Sequence, residues 1–181
     1  ETVDVSYNWL NQYVDHDWTP DELAERLTMA GLEVETVEPI GQSLDGVVVG
    51  EIQTVREHPN ADRLVLCDVD LGNGDRSQIA CGAPNVAEGQ KVPVATVGTT
   101  LSLPDPDTPG ARQELTVEAR ELRGEASNGM ICAEDELGLS GDHSGIMVLD
   151  DDAAVGTPFP DYLDAHGLPS TDAGPAIELT P

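Results

Sequence analysis

The chain has 181 residues, 39% of them hydrophobic, which is enough for one ordinary domain or two small ones with a buried core. Thirty-five acidic residues face eight basic ones, giving a formal net charge of -27, and seven of the eight bases are arginine, with Lys91 the sole lysine. No run approaches the roughly 20 apolar residues that cross a bilayer, and the first thirteen residues lack the basic end and apolar stretch of a signal peptide, so the pattern reads as soluble, cytoplasmic and free of membrane contact. Self-repulsion on this scale is relieved by screening, which points to a salt-rich cytoplasm. The acids are interleaved with periodic apolar residues, which argues against a disordered acidic tail. Three cysteines, Cys67, Cys81 and Cys132, form no CxxC pair and read as reduced, buried thiols. Neither they nor His58 and His143 have a spacing that demands a metal.

In chain order, Ser6 is placed to cap a short helix with Trp9, Leu10, Tyr13 and Val14 on its apolar face. Thr19-Pro20-Asp21-Glu22 is a capping box with proline at the first helical position, and Leu23, Leu27 and Ala30 follow on one face until Gly31. Leu32, Val34 and Thr36 then alternate with acids, as a strand does. After a connector at 41–46, short strands are predicted at 47–55, 64–71 and 76–81, the last two joined by Gly72-Asn73-Gly74-Asp75, whose Asn-Gly step suits a tight hairpin. Further strands are predicted at 92–97 and 115–119, separated by a Pro- and Asp-rich loop at 103–110, with a last apolar segment at Met130-Ile131. Five or so short strands fit a small barrel of the OB type better than a sandwich. The tail from Asp150 holds a helical turn with Phe159, Tyr162 and Leu163, then an apolar stretch from Ala176 to Leu179. A chain that stops in such a stretch reads as part of a longer protein.

Seven of the eight bases, Arg56, Arg63, Arg76, Lys91, Arg112, Arg120 and Arg123, fall in the middle of the chain, where an anion could bind. Residues 58–63, His-Pro-Asn-Ala-Asp-Arg, have the composition of a turn. They either shape the barrel or present Asn60 and Arg63 to a base edge and a phosphate. If extended, residues 120–124 put Arg120 and Leu122 on one strand face and Glu121 and Arg123 on the other. Ser127-Asn128-Gly129 then offers two small polar side chains and a glycine, which is either an RNA-backbone contact or a structural turn. The candidate nucleic-acid-contacting residues are Asn60, Arg63, Lys91, Arg120, Arg123, Ser127 and Asn128. No Phe, Tyr or Trp lies between residues 40 and 150, so any grip on RNA comes from phosphate and shape rather than base stacking. No nucleophile signature or phosphate-cradling loop is present, and no catalytic or metal-binding residue is assigned.

Several segments make the sequence specific: Leu27-Thr28-Met29-Ala30-Gly31-Leu32-Glu33-Val34-Glu35, Val48-Val49-Gly50-Glu51-Ile52, residues 58–64, Cys81-Gly82-Ala83-Pro84-Asn85, Ser127-Asn128-Gly129-Met130-Ile131-Cys132 and the closing Ile177-Glu178-Leu179-Thr180-Pro181. In this order they resemble the opening of bacterial phenylalanyl-tRNA synthetase beta chains, over nearly the whole sequence. The resemblance implies an α+β fold: a five-stranded OB barrel for tRNA binding, residues 41–149, inserted into a small helical, winged-helix-like domain made of 1–40 and 150–181. It also implies an alpha2 beta2 heterotetramer in which the alpha subunit joins phenylalanine to tRNA with ATP and Mg2+, and a beta fragment that needs no cofactor and is itself non-catalytic. A scaffold that never meets RNA and a free-standing tRNA-binding protein are the competing readings.

Overall fold

The computed structural model describes residues 3–6, 10, 13–14, 18–39, 43–105, 107, 112–168 and 175–180. In chain order the elements are β1 (Val3–Ser6), α1 (Pro20–Met29), β2 (Glu33–Pro39), β3 (Val47–Glu57), β4 (Val65–Asp70), β5 (Arg76–Cys81), β6 (Lys91–Ala95), β7 (Thr100–Pro104), β8 (Arg112–Thr116), β9 (Arg120–Leu122), β10 (Glu125–Ser127), β11 (Met130–Ile131), α2 (Phe159–Ala165) and β12 (Pro175–Thr180). They form two compact units, residues 43–168 and residues 1–42 with 169–181. Neither α1 nor α2 is long and apolar enough to cross a membrane.

In the terminal unit β12 lies between β1 and β2, antiparallel to both. Helix α1 starts as its sequence dictates: Thr19 Oγ1 accepts from the Glu22 N–H at 3.3 Å, and the Glu22 carboxylate accepts from the Thr19 N–H at 2.8 Å. The helix ends in a Schellman pair, with Leu32 N–H donating to the Leu27 carbonyl and Gly31 N–H to that of Thr28. Gly31 takes the required positive φ of 96°. Arg26 stacks its guanidinium over the Trp18 ring at 4.1 Å. Ser6 is the last residue of β1, paired with Ala176, and the helix it is expected to cap falls largely outside the described residues. Leu10 is helical and its carbonyl accepts from Tyr13 and Val14, whereas Trp9 lies outside the described residues.

The larger unit is a five-stranded antiparallel sheet in the order β11-β6-β3-β4-β5, curled into a nearly closed OB-like barrel. The long strand β3 makes this curl: residues 47–51 pair with β6, residues 51–57 pair with β4, and a bulge between Ile52 and Thr54 bends it. The β4–β5 turn forms where the Asn-Gly step predicts it, with Asn73 at φ 54° and Gly74 at 86°. Ile52, Val69, Ile79, Val92 and Val94 fill the barrel, each fully buried.

A second apolar layer corrects the expected domain boundary. Phe159, Tyr162 and Leu163 of α2 are buried with Val47, Val49, Leu101 and Leu137, so residues 150–168 belong to the barrel unit rather than to the terminal one. Periodicity shows that such a turn has an apolar face, but it does not say which surface receives it. The outer side of β3 offers one, because Val47 and Val49 sit where β3 needs covering.

Candidate nucleic-acid interface

The loop between β3 and β4, residues 58–64, is closed by its own backbone. His58 N–H donates to the Leu64 carbonyl at 3.2 Å, and Leu64 N–H donates to that of Ala61 at 3.2 Å. It faces the tip of the β9–β10 hairpin, where Glu125 pairs with Leu122 and leaves Arg123-Gly124 as a two-residue turn. Both turn residues have positive φ, 50° and 92°. That is a type I′ turn, in which the arginine occupies a position that usually takes Asn or Asp. Arg123 is therefore at a hairpin tip, not on a strand face as an extended reading of 120–124 expects.

Loop and tip are bonded reciprocally: Asn60 Nδ2 donates to the Arg123 carbonyl at 2.8 Å, and Arg123 Nη1 donates to the Asn60 carbonyl at 3.3 Å. Beside this contact lies an open depression of about 480 Å³ lined by Ala61, Asp62, Arg63, Leu64 and Arg123. Arg63 and Arg123 are exposed, and neither forms an ion pair among the described residues. Two guanidiniums lining one opening, with one carboxylate beside them, can donate bidentately to a phosphate. Arg120 is also exposed, at the strand end of the hairpin opposite Ser127.

The other candidates go elsewhere. Lys91 pairs with Glu51 at 2.7 Å across β3 and β6, its side chain only 15% exposed, so its charge is already matched. Ser127 is buried, and its hydroxyl accepts the Ala80 N–H at 3.0 Å. Asn128 N–H donates to the Gln78 carbonyl at 2.8 Å, and its own carbonyl accepts from the Ser77 hydroxyl at 2.6 Å. These bonds cover the outer edge of β5 and bring the barrel close to closure, because the edge N–H and C=O groups would otherwise stay unpaired. Among the remaining bases, Arg56 bonds Gln78 and lies 4.0 Å from Asp68, and Arg112 donates to the carbonyls of Ser102 and Asp135.

His58, Gln78 and Asn85 are polar residues whose roles the sequence does not announce. His58 is buried against the hairpin, bonding the Leu122 carbonyl. Gln78 donates to the Ala126 carbonyl at 2.8 Å. Asn85 holds both the N–H and the carbonyl of Ile146, at 2.9 and 2.8 Å. The signal for Asn85 is that it ends a Cys-Gly-Ala-Pro-Asn segment rich in turn formers.

A second depression of about 340 Å³ is lined by Cys81, Ala83, Met130, Glu136, His143 and Ile146, among others. Burial pushes the Glu136 carboxyl up, and the hydrogen bond that the His143 ring donates to the Asp135 carboxylate raises His143. The three cysteines are buried and unbridged, and burial pushes Cys67 up to about 12 and raises Cys81 and Cys132 as well. They stay protonated thiols, the opposite of an activated nucleophile. Among the described residues, the side chains close enough together to hold a cation are Asp150, Asp152 and His166, with ligand atoms within 4.8 Å of one another. The imidazole in that group does not fit Mg2+, which takes oxygen ligands.

A family model described as "Putative tRNA binding domain" matches residues 47–158. Over 179 residues the chain is 85% identical to the phenylalanine–tRNA ligase beta subunit of Salinibacter ruber, covering 99% of this chain and 22% of the relative. It is 47% identical over 182 residues to that of Bacteroides fragilis, covering 99% and 21%. It is 49% identical over 176 residues to that of Xanthomonas euvesicatoria, covering 97% and 20%. The chain thus spans about a fifth of the length of these curated relatives. With its barrel matched from end to end, the chain belongs to the tRNA-binding domain family, and its similarity to phenylalanine–tRNA ligase beta subunits extends over nearly its full length.

Proposed function

We propose that this chain is the tRNA-binding part of a phenylalanine–tRNA ligase beta subunit, and that it meets tRNA at the β3–β4 loop and the tip of the β9–β10 hairpin. The observation that carries the reading is the depression shared by Arg63 and Arg123, two exposed guanidiniums without ion-pair partners among the described residues of a chain with 35 acids. Arg120 extends this basic edge, and Asn60 contributes by holding Arg123. Lys91 and Ser127 have a lesser part, since their side-chain polar groups already serve the barrel, and Asn128 is held there by its backbone. Binding is through phosphate and shape, because no Phe, Tyr or Trp lies between residues 40 and 150 and the rings of Phe159 and Tyr162 in α2 are buried.

Under this reading an alpha subunit joins phenylalanine to tRNA, with ATP and Mg2+ entering on that chain, in an alpha2 beta2 assembly in the cytoplasm. The chain alone forms no phenylalanyl-tRNA. The terminal unit, in which α1 lies against β2 and β12, supports a winged-helix-like domain built from both ends of the chain. The net charge of -27 supports a salt-rich cytoplasm. A scaffold role is the second reading, favoured by the consumption of Ser127 and Lys91 inside the fold.

The test is a tRNA titration of the wild type and of the triple variant Arg63→Ala, Arg120→Ala, Arg123→Ala, from dilute buffer to molar salt. Removing one arginine–phosphate pair should reduce the magnitude of the salt slope by about one, so the slope of the triple variant should be smaller by about three. Repulsion by the acidic surface depresses binding most in dilute buffer, where the Debye length is about 30 Å, and wild-type affinity should pass through a maximum with salt. Equal binding by both proteins throughout would make the barrel a packing module.

A further inference from the structure

We propose that His58 and Asn60 are positioning residues, a two-residue strap that sets where Arg123 stands before RNA arrives; the inference rests on the RNA-binding reading of the barrel. His58 is 5% exposed, so both its ring nitrogens need partners. Its Nδ1 lies 3.1 Å from the Asn60 N–H, which can only donate, so Nδ1 accepts and the proton of the neutral ring is on Nε2. Nε2–H then donates to the Leu122 carbonyl at 2.9 Å. Asn60 takes the next carbonyl along: its Nδ2 donates to that of Arg123 at 2.8 Å. Two consecutive peptides of the hairpin tip are thereby pinned by two side chains of one loop, and Arg123 Nη1 closes the ring on the Asn60 carbonyl at 3.3 Å.

The pinned residue is one that would not hold its conformation unaided. Arg123 has φ 50°, a left-handed region that costs an L-residue energy unless its surroundings fix it. An arginine on an untied hairpin tip spends binding energy on ordering itself, whereas here the backbone and one edge of the guanidinium are already ordered. The remaining edge is available beside Arg63, three residues past Asn60 in the same loop, so the strap also sets the separation of the two guanidiniums around the depression.

The experiment pairs a tRNA titration with limited trypsin digestion of this chain, since trypsin cuts after Arg123 and Asn60 holds the carbonyl of that very bond. Asn60 is exposed, so Asn60→Ala should fold. It should speed cleavage after Arg123 by about tenfold, in line with the removal of one hydrogen bond, while cleavage after Arg76 in β5 stays unchanged as the control for global opening. Its tRNA affinity should fall as far as that of Arg123→Ala, and the double variant should be no weaker than Arg123→Ala alone. His58→Gln, whose amide can replace the Nε2 donor, should stay close to wild type, whereas His58→Ala should behave as Asn60→Ala. Unchanged cleavage after Arg123 in Asn60→Ala overturns the strap, as does faster cleavage with wild-type tRNA affinity. Faster cleavage in a chain whose wild type does not bind tRNA supports the strap and overturns only the RNA reading.

Discussion

At the strand end of the β9–β10 hairpin, Ser127 is buried and both its hydroxyl and the neighbouring Asn128 peptide are bonded to β5. At the turn of the same hairpin, Arg123 is exposed and tied by Asn60. The hairpin is thus a seam at one end and an accessible cationic tip at the other. The difference follows from what each end adjoins. A sheet edge presents unpaired N–H and C=O groups that must be met, and the nearest small polar side chains are used for that purpose. A turn that projects past the edge has no such duty. Residue types suited to touching RNA are equally suited to closing a barrel, and position relative to an open edge decides between the two uses.

The strongest way to break this comparison is at the seam. Ser127→Ala leaves the Ala80 N–H without its acceptor and should lower the unfolding free energy by about 1–3 kcal/mol, while the salt slope of tRNA binding stays that of the wild type. Urea denaturation together with the titration checks both halves. A variant that keeps its stability but loses affinity would reverse the assignment of the two ends.

The tip should respond the opposite way. Asn suits the left-handed first position of a type I′ turn better than arginine does, so Arg123→Asn should stabilise the chain by about 0.5–1 kcal/mol. The same change should weaken tRNA binding and reduce the salt slope by about one. A gain in stability with a loss of binding would mark Arg123 as a residue kept against the preference of its turn.

The smallest effect belongs to the loop that carries His143, away from both ends. Asp135, 2.8 Å from the imidazole, raises the His143 pKa above its ordinary value of 6.5. A raised folded-state value means that the pair's contribution is complete below the unfolded-state value and is lost as pH rises through the folded one. His143 is 73% exposed, so solvent screens the pair and the contribution is under about 1 kcal/mol. Denaturation midpoints of wild type and His143→Ala should differ most below the ordinary value of 6.5 and converge as pH rises past the raised folded-state value. A difference that grows with pH would show that another group is being titrated.

Much of the fold was legible residue by residue. The capping box at Thr19 and Glu22, the Asn73-Gly74 turn and the extent of β5 follow from local rules that operate within a few residues, and the structure has each of them. The concentration of arginine in the middle of the chain was equally plain. The sorting of those bases was not: Lys91 meets Glu51 across forty residues of sequence, and Arg56 reaches Gln78 and Asp68 from another strand. Nor was the address of Phe159, Tyr162 and Leu163, whose spacing shows an apolar face without naming the one it covers.

What the sequence determined by itself was therefore local: where helices start, where chains turn, which residues want burial and how much charge the surface carries. Tertiary structure alone decided which polar groups were left over for a ligand. That choice depends on pairings such as Asn60 with Arg123 and Ser127 with Ala80, made between segments 63 and 47 residues apart. A hydrogen bond needs its partner within about 3 Å, and only the curled path of the barrel brings these groups that near.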